Sequence, residues 1–366
     1  MTKRYLILLI IINIVLIIIN IFIWKDNSNT EILVTVGTTP KLYTSSDGVA
    51  DLEKVWCGSF QLAWNELMDY AGGEIEFIGE KTSSETLENL NKQNFTKDMI
   101  SEENYYIKVE EKPKPSLKDD ILNDLENKFG NIDSKILDNL SFENINGIAI
   151  YTMIQKQFEF LKEFDKLKEG IFYENLDSTT KVRYFGIDDE SKKTLYDNVE
   201  IMYYDEKSAW EINEFAVKLK TKENDEIILY RTDKTDSFEK LYQDVLELDK
   251  SYEGPEEFSG YDVLKIPYIN LDFDISYDEL CGKEIKNLNG EYIDTAVQNI
   301  TFSLNPKGGF LQSEAAIITD SLSAPPTSAR FFNYTRPFVM FIKEKDVEKP
   351  YFAVRINNTE FLEIVE

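Results

Sequence analysis

Carboxylates are the most numerous side chains in this sequence that could do catalytic chemistry, and adjacent pairs occur, such as Asp188-Asp189 and Glu256-Glu257. A carboxylate pair hydrolyses a glycosidic bond when one member donates a proton and the other acts as base or nucleophile. With 67 acidic residues among 366, such pairs arise without that purpose, and most are solvated surface. The alternation of Asp272 and Asp274 offers oxygen ligands of the kind calcium takes, yet neither the spacing nor the glycine of an EF-hand loop is present. There is no histidine, which removes Ser-His-Asp and Cys-His catalysis and histidine metal sites. Two cysteines, Cys57 and Cys281, are too few for a cysteine-rich metal centre; they either form one disulfide outside the cytoplasm or remain two thiols. These residues call for no metal and no cofactor, and the chain reads as something other than an enzyme.

A different kind of chemistry is written between Ser313 and Ile342, where small and β-branched residues lead into a Ser/Pro-rich loop and then an apolar strand. Read with a period of two, one face of its start carries Ser313, Ala315, Ile317, Thr319, Ser321 and Ser323. The other carries Glu314, Ala316, Ile318, Asp320 and Leu322. The first face holds no charge and one large residue, so it can slide between two existing strands without the cost of burying a charge. The plainer reading of the same pattern is a loop followed by a terminal β-hairpin.

Such a strip needs a scaffold to position it. The formal charge of -27 argues against nucleic acid as a partner. Lys3-Arg4 precede Tyr5–Trp24, a run interrupted only by Asn13 and Asn20 and long enough for the ~30 Å hydrocarbon core. The basic residues before it favour an N-terminus in the cytoplasm, and no small-residue cleavage site comes after it. The expected organisation is residues 1–4 in the cytoplasm, 5–24 a transmembrane signal anchor, 25–30 a spacer, and 31–366 one domain outside the cell membrane. The abundance of Ile, Lys, Asn and Glu suggests a bacterium.

Glu31–Val36 reads as a strand and Gly37–Gly48 as a loop. Over Trp56–Tyr70, the stripe of Phe60, Trp64, Leu67 and Met68 predicts a core helix stopped by Ala71-Gly72-Gly73. Tyr105–Val109 reads as a strand, and Leu117–Leu140 carries helical spacing at Ile121, Leu122, Leu125 and Phe129. Ile145–Ile154 is the expected buried central strand, Phe238–Leu248 a helix, and Val297–Asn305 a long alternating strand.

Several of these segments resemble the serpins. Ser313–Thr319, SEAAIIT, is similar to the small-residue hinge of that family, TEAAAAT in its usual form. Phe332, Tyr334, Arg336, Pro337, Phe338, Val339, Met340 and Ile342 resemble the family's C-terminal signature, with Thr335 where Asp or Asn is usual. Pro350–Asn358 is similar to the last serpin strand. Gly147–Tyr151 followed by Phe158, Phe160 and Phe164-Asp165 resembles the central strand and its Trp-x-x-x-Phe sequel, with the tryptophan missing. Phe172-Tyr173 with Lys181-Val182, Glu226–Tyr230 and Lys265–Tyr268 resemble further strands, and Leu271–Leu280 stands in place of the following helix. The resemblance runs from about Leu140 to Asn358 and is faint over 31–139.

The resemblance implies an α+β, serpin-like fold: a large central, mostly antiparallel sheet, helices toward the N-terminal half, and a second smaller sheet containing Pro337–Ile342. It implies an exposed reactive loop at about 308–332 acting as a suicide substrate for a target serine (or cysteine) protease, and inserting into the main sheet after cleavage. The hinge would be Ser313, Glu314, Ala315, Ala316, Ile317, Ile318 and Thr319. The usual hinge glycine is displaced to Gly308-Gly309, which leaves two registers. A hinge starting at Ser313 puts the cut near Pro326–Thr327; one starting at Gly308 or Gly309 puts it at Leu322–Ser323, the better bait for chymotrypsin- or subtilisin-like enzymes. Arg330 would tempt a trypsin-like protease but lies close to the following strand in either register. The alternative is a serpin fold without inhibition, serving as a binding or scaffold protein of the cell envelope, for which Ile317 and Pro325-Pro326 speak.

Overall fold

A computed structural model of the chain describes residues 54–79, 84–130, 134–143, 145–167, 171–174, 179–205, 214–309 and 330–365. The expected anchor Tyr5–Trp24, the spacer, the strand Glu31–Val36 and the loop Gly37–Gly48 lie outside these residues. Among the described residues, no helix is long and apolar enough to cross a membrane.

The largest sheet has six strands in the order β1 (Val55–Cys57), β18 (Phe352–Ile356), β17 (Phe338–Glu344), β11 (Asp225–Arg231), β10 (Phe215–Lys220) and β9 (Val199–Tyr204), antiparallel throughout. Every residue of β18 is buried, as is Phe338–Ile342. Such near-continuous burial explains why these strands read as apolar runs rather than as alternation. The apolar stretch after Pro337 therefore lies inside the largest sheet, not in a small second one as the sequence suggested. A second sheet joins β16 (Phe331–Asn333), β12 (Val263–Pro267), β8 (Tyr184–Ile187) and β5 (Asp165–Lys166), with β16 parallel to β12. A short hairpin pairs β6 (Ile171–Glu174) with β7 (Thr179–Val182).

The remaining strands form two separate pieces. One is the pair β2 (Tyr105–Glu111) and β3 (Ile148–Ile154). The other runs β13 (Ile269–Ser276), β14 (Val297–Asn305), β15 (Gly308–Gly309) and β4 (Phe158–Glu159). The segment over Leu271–Leu280, expected to stand where a helix would, is mostly strand. Ile269, Leu271 and Ile275 are buried while Asn270, Asp272 and Asp274 are exposed, a period of two that a helix cannot satisfy.

The helix α1 (Ser59–Ala71) starts later than the sequence suggested, because Trp56 is taken into β1. It buries Leu62, Trp64 and Met68 and stops at Gly72, whose φ of 75° suits a residue without a Cβ. A short helix, α2 (Glu85–Asn91), is capped by the Ser84 hydroxyl accepting from Leu87 N. The predicted helix over Leu117–Leu140 is two, α3 (Leu117–Phe129) and α4 (Lys135–Asn139), divided after Gly130 at φ 84°. The last, α5 (Phe238–Ser251), buries Phe238, Leu241, Tyr242 and Val245, with Phe238 and Tyr242 edge-on to Phe341 of β17.

Apolar side chains gather into one main core and a satellite. The satellite joins Leu117, Ile121 and Leu125 of α3 and Leu137 of α4 to Tyr151 of β3. The opposite face of β3 turns to the main core, where Ile154 packs. Cys57 and Cys281 are both free thiols, so no disulfide joins them.

Candidate functional site

The two strand pieces stop facing each other across a gap. Among the described residues, β3 pairs with β2 alone, and β14 pairs with β15 only at Leu304 and Asn305, so the rest of β14 has one neighbour, β13. A groove of about 1280 Å³ fills the space between, lined among others by Tyr151, Ile154, Lys156, Ile300, Phe302 and Ser303. The Ser303 hydroxyl is buried and has no hydrogen-bond partner among the described residues. An unpaired strand edge presents a row of N–H and C=O groups ready to accept another strand.

The upper end of this slot is closed by the chain itself. After β14 the backbone turns at Asn305–Lys307, where Asn305 Oδ1 accepts from Lys307 N at 2.9 Å. Gly308 and Gly309 then run back between two strands: Gly309 pairs with Leu304 on one side and Phe158 on the other. Neither position has room for a side chain. A Cβ on Gly308, which also has φ 153°, would lie 2.0 Å from the Phe158 carbonyl oxygen; one on Gly309 would lie 2.2 Å from the Phe158 ring. The slot is thus one strand wide at its top, and Gly308-Gly309 is a strand already within it.

The floor ties both edges to the start of α1. Thr152 Oγ1 on β3 donates to Ser59 O at 2.6 Å. From β14, Gln298 Nε2 donates to Ser59 Oγ at 2.8 Å and to Cys57 O at 3.1 Å, while Tyr277 OH donates to Gln298 Oε1 at 3.0 Å. Higher up, Lys156 Nζ reaches Asp225 Oδ1 at 2.9 Å and Glu344 Oε1 at 2.7 Å, all three being nearly enclosed. Tyr351 OH donates to Asp225, and Ser101 donates to Glu344 through its N–H and its hydroxyl. Burial pushes the Asp225 carboxyl up in spite of Lys156. Burial works the same way on Glu344, but bonds from Lys156 and Ser101 outweigh it and hold that carboxyl below its usual range. Over the outer face, α4 anchors Leu137 in the satellite core and sends Lys135 to an ion pair with Asp272 of β13. The Asn299 amide donates to Asp272 and Asp274, so these two carboxylates are engaged in holding the sheet surface.

The described chain resumes at Arg330 and joins β12 through β16. Tyr334 and Phe338 are buried, 5.0 Å apart and edge-on, with Tyr334 OH donating to Leu229 O at 2.9 Å. Arg336 and Pro337 are half-buried on the turn between them. The signature residues therefore build the core rather than a reactive surface. The hinge Ser313–Thr319 and both scissile bonds, Leu322–Ser323 and Pro326–Thr327, lie outside the described residues. Sequence reasoning missed the Ser59 pins and the Lys156 cluster, whose partners are far apart in the chain; Gly308-Gly309 was the one visible sign of a close backbone approach.

No family model and no curated protein sequence matches the chain. Solved structures do. The thermophilic serpin tengpin, in its native state, superposes with a TM-score of 0.52 over 87% of this chain and 92% of its own, at 13% identity. The fold is serpin-like. Serpin48 of the insect Tenebrio molitor is similar at 12% identity, covering 87% of this chain and 95% of its own with a TM-score of 0.45. Thyroxine-binding globulin in complex with thyroxine is similar at 13% identity over 83% and 92%, with a TM-score of 0.47. In this serpin-like fold, the expected mixture of helices and mostly antiparallel sheets holds, with β3 and β14 parted by the slot.

Proposed function

We propose that the chain is a protease inhibitor of the suicide-substrate kind. A target serine (or cysteine) protease cuts the segment between Gly309 and Arg330, and the upstream part enters the slot as a new strand. The observation that carries this reading is Gly309, which already stands between Leu304 and Phe158 at the head of an open slot.

Continuing that register, each step forward along the loop is a step back on both neighbours. Ser313 would then face Ile300 and Ile154, Ala315 would face Gln298 and Thr152, and Ile317 would face Ala296 and Ile150. These odd-numbered residues are the uncharged face, and they would turn toward the core side shared by buried Ile300 and Leu304. Ala315 would sit above the side chains that converge on Ser59. The bulk of Ile317 would meet a small partner in Ala296. The neighbouring strands end opposite residues 316 and 319, so 310–319 is the length the slot takes, about 34 Å of extended chain. This register favours the Leu322–Ser323 bond over Pro326–Thr327 as the cut, since it leaves a short stalk beyond the inserted strand.

The reading includes a placement: Tyr5–Trp24 anchors the chain in a cell membrane, with the inhibitor domain outside, as in a bacterial envelope protein. A second reading, a non-inhibitory binding or scaffold protein, is favoured by the shortness of β3, seven residues against the twenty between Gly309 and Arg330. Mixing the protein with subtilisin separates the two. Inhibition predicts an SDS-resistant covalent complex and loss of subtilisin activity; clean cleavage with full protease activity contradicts it.

A further inference from the structure

The inhibitor reading leaves open which proteases are caught, and the downstream end of the loop bears on that. Arg330 is the first basic residue after Lys307, for positions 310–329 contain neither lysine nor arginine. It is the only bond in this stretch that a trypsin-like enzyme would choose. The structure removes it from reach in two ways.

The first is the guanidinium. Arg330 Nε and Nη2 donate to the two carboxylate oxygens of Asp262 at 3.1 and 2.7 Å, a bidentate pair. Nη1 donates to Pro255 O at 2.6 Å and Nη2 to Glu257 O at 2.8 Å. The side chain is 14% exposed, and that of Asp262 is 1% exposed. Asp262 Oδ2 is fixed in turn by Ser259 N at 2.7 Å. A guanidinium so held cannot enter the specificity pocket of a protease.

The second is the peptide bond itself. The Arg330 carbonyl accepts from Val263 N at 3.0 Å, the Arg330 N–H donates to Asp262 Oδ1 at 3.1 Å, and the Phe331 N–H donates to Tyr204 OH at 3.2 Å. A serine protease needs that carbonyl in its oxyanion hole and that N–H in an antiparallel ladder. Both are already committed. Phe332 behind them is fully buried against Tyr204, Phe215 and Phe258, so cutting here requires β16 to come off the sheet.

We infer that Arg330 is an anchor that holds the start of β16 and not a cleavage site, so that the target is not a trypsin-like protease. The inference rests on the inhibitor reading for its target and on the Arg330–Asp262 clamp for what it excludes. In the trapped step, the protease nucleophile forms an ester with the carbonyl of the residue before the cut. The peptide C–N bond breaks, and the new amine leaves with the proton that the protease base took from the nucleophile.

The test uses the full-length chain in mild detergent with chymotrypsin, subtilisin and trypsin in parallel, reading cut positions by mass spectrometry and covalent complexes on SDS gels. Chymotrypsin or subtilisin is expected to cut once between 310 and 329, and trypsin to cut nowhere between 310 and 331. Asp262→Ala is expected to raise trypsin cleavage after Arg330 roughly 30–100-fold by opening the clamp. Leu322→Arg is the second arm: trypsin should then cut at position 322 and still spare Arg330. Trypsin cutting the unaltered chain after Arg330 as fast as subtilisin cuts the loop, or cutting the Leu322→Arg chain at 330 in preference to 322, overturns the anchor. A trypsin complex with the unaltered chain overturns the target class while supporting inhibition. If no protease yields a complex, the inhibitor reading and the target class fall together, whereas the anchor stands or falls on where trypsin cuts.

Discussion

Gly309 pairs with Phe158 across an antiparallel bridge so close that a Cβ on the glycine would lie 2.2 Å from the phenyl ring. The contact lies within the piece that holds β14, just past the end of β3 at Ile154, and below it β3 and β14 stay apart. At that point the gap between the strands has the width of one strand.

Gly309→Ala forces the ring to move and is expected to destabilise the protein by about 1–3 kcal/mol, read as a lower urea midpoint. Adding Phe158→Leu should recover part of the loss, because the two residues share one contact. Additive losses in the double variant would show that they act separately.

The buried cluster at the slot gives a second prediction. Lys156→Met leaves Asp225 and Glu344 enclosed without their cation, and is expected to cost about 3–5 kcal/mol near neutral pH. The pH dependence is specific. Glu344 is held below its ordinary range in the fold, so the stability it contributes is present above about pH 4.5 and is lost as pH falls through its folded value. The stability difference between the native protein and Glu344→Gln should therefore shrink on acidification from pH 5 to 3. Asp225 has the opposite sign: its carboxyl is raised, and its ionisation lowers stability as pH rises through the folded value. Asp225→Asn should narrow with rising pH any advantage the native protein has on the acid side.

The outer ion pair is predicted to matter little for stability. Lys135 and Asp272 are each about half exposed, and pairs of that kind contribute roughly 0–1 kcal/mol. Lys135→Ala should leave the urea midpoint nearly unchanged. A loss above about 2 kcal/mol would mean that α4 is held over the slot mainly by this bond.

Much of the fold was legible where a single periodicity governs a segment. Val297–Asn305 alternates, and it is β14 with those limits. Of the stripe Phe60, Trp64, Leu67 and Met68, Trp64 and Met68 are buried in α1, while Phe60 and Leu67 are half-buried. Legibility failed where pairing rather than pattern decides. Ile145–Ile154 reads as the middle of a sheet, yet the strand within it, Ile148–Ile154, buries only Tyr151, because one edge faces the slot. For Leu271–Leu280 the family resemblance pointed to a helix, whereas the segment's own alternation belongs to β13. The pins on Ser59 come from Thr152 and Gln298, 93 and 239 residues away, and no local signal links positions so distant. The missing strand is an absence of hydrogen bonds, which leaves no mark in composition.

Ala315 carries the next prediction. If the loop enters in the register set by Gly309, this position passes over Thr152, Ser59 and Gln298. Ala315→Trp should leave the uncut protein as stable as before and block insertion after cleavage, so that a target protease is released active. Equal trapping by the variant would mean that the strand enters in another register.

The most direct test of insertion is one cut and one melting curve. The full-length chain is nicked once between 310 and 329 with a zinc metalloprotease, whose cut passes through no acyl-enzyme that could be trapped, at low ratio; the protease is quenched, and thermal unfolding is compared with the uncut protein. The predicted result is a rise of tens of degrees, because the slot gains a strand bonded on both edges. An unchanged or lower melting temperature would show that the slot stays empty after cleavage, and would contradict inhibition by insertion.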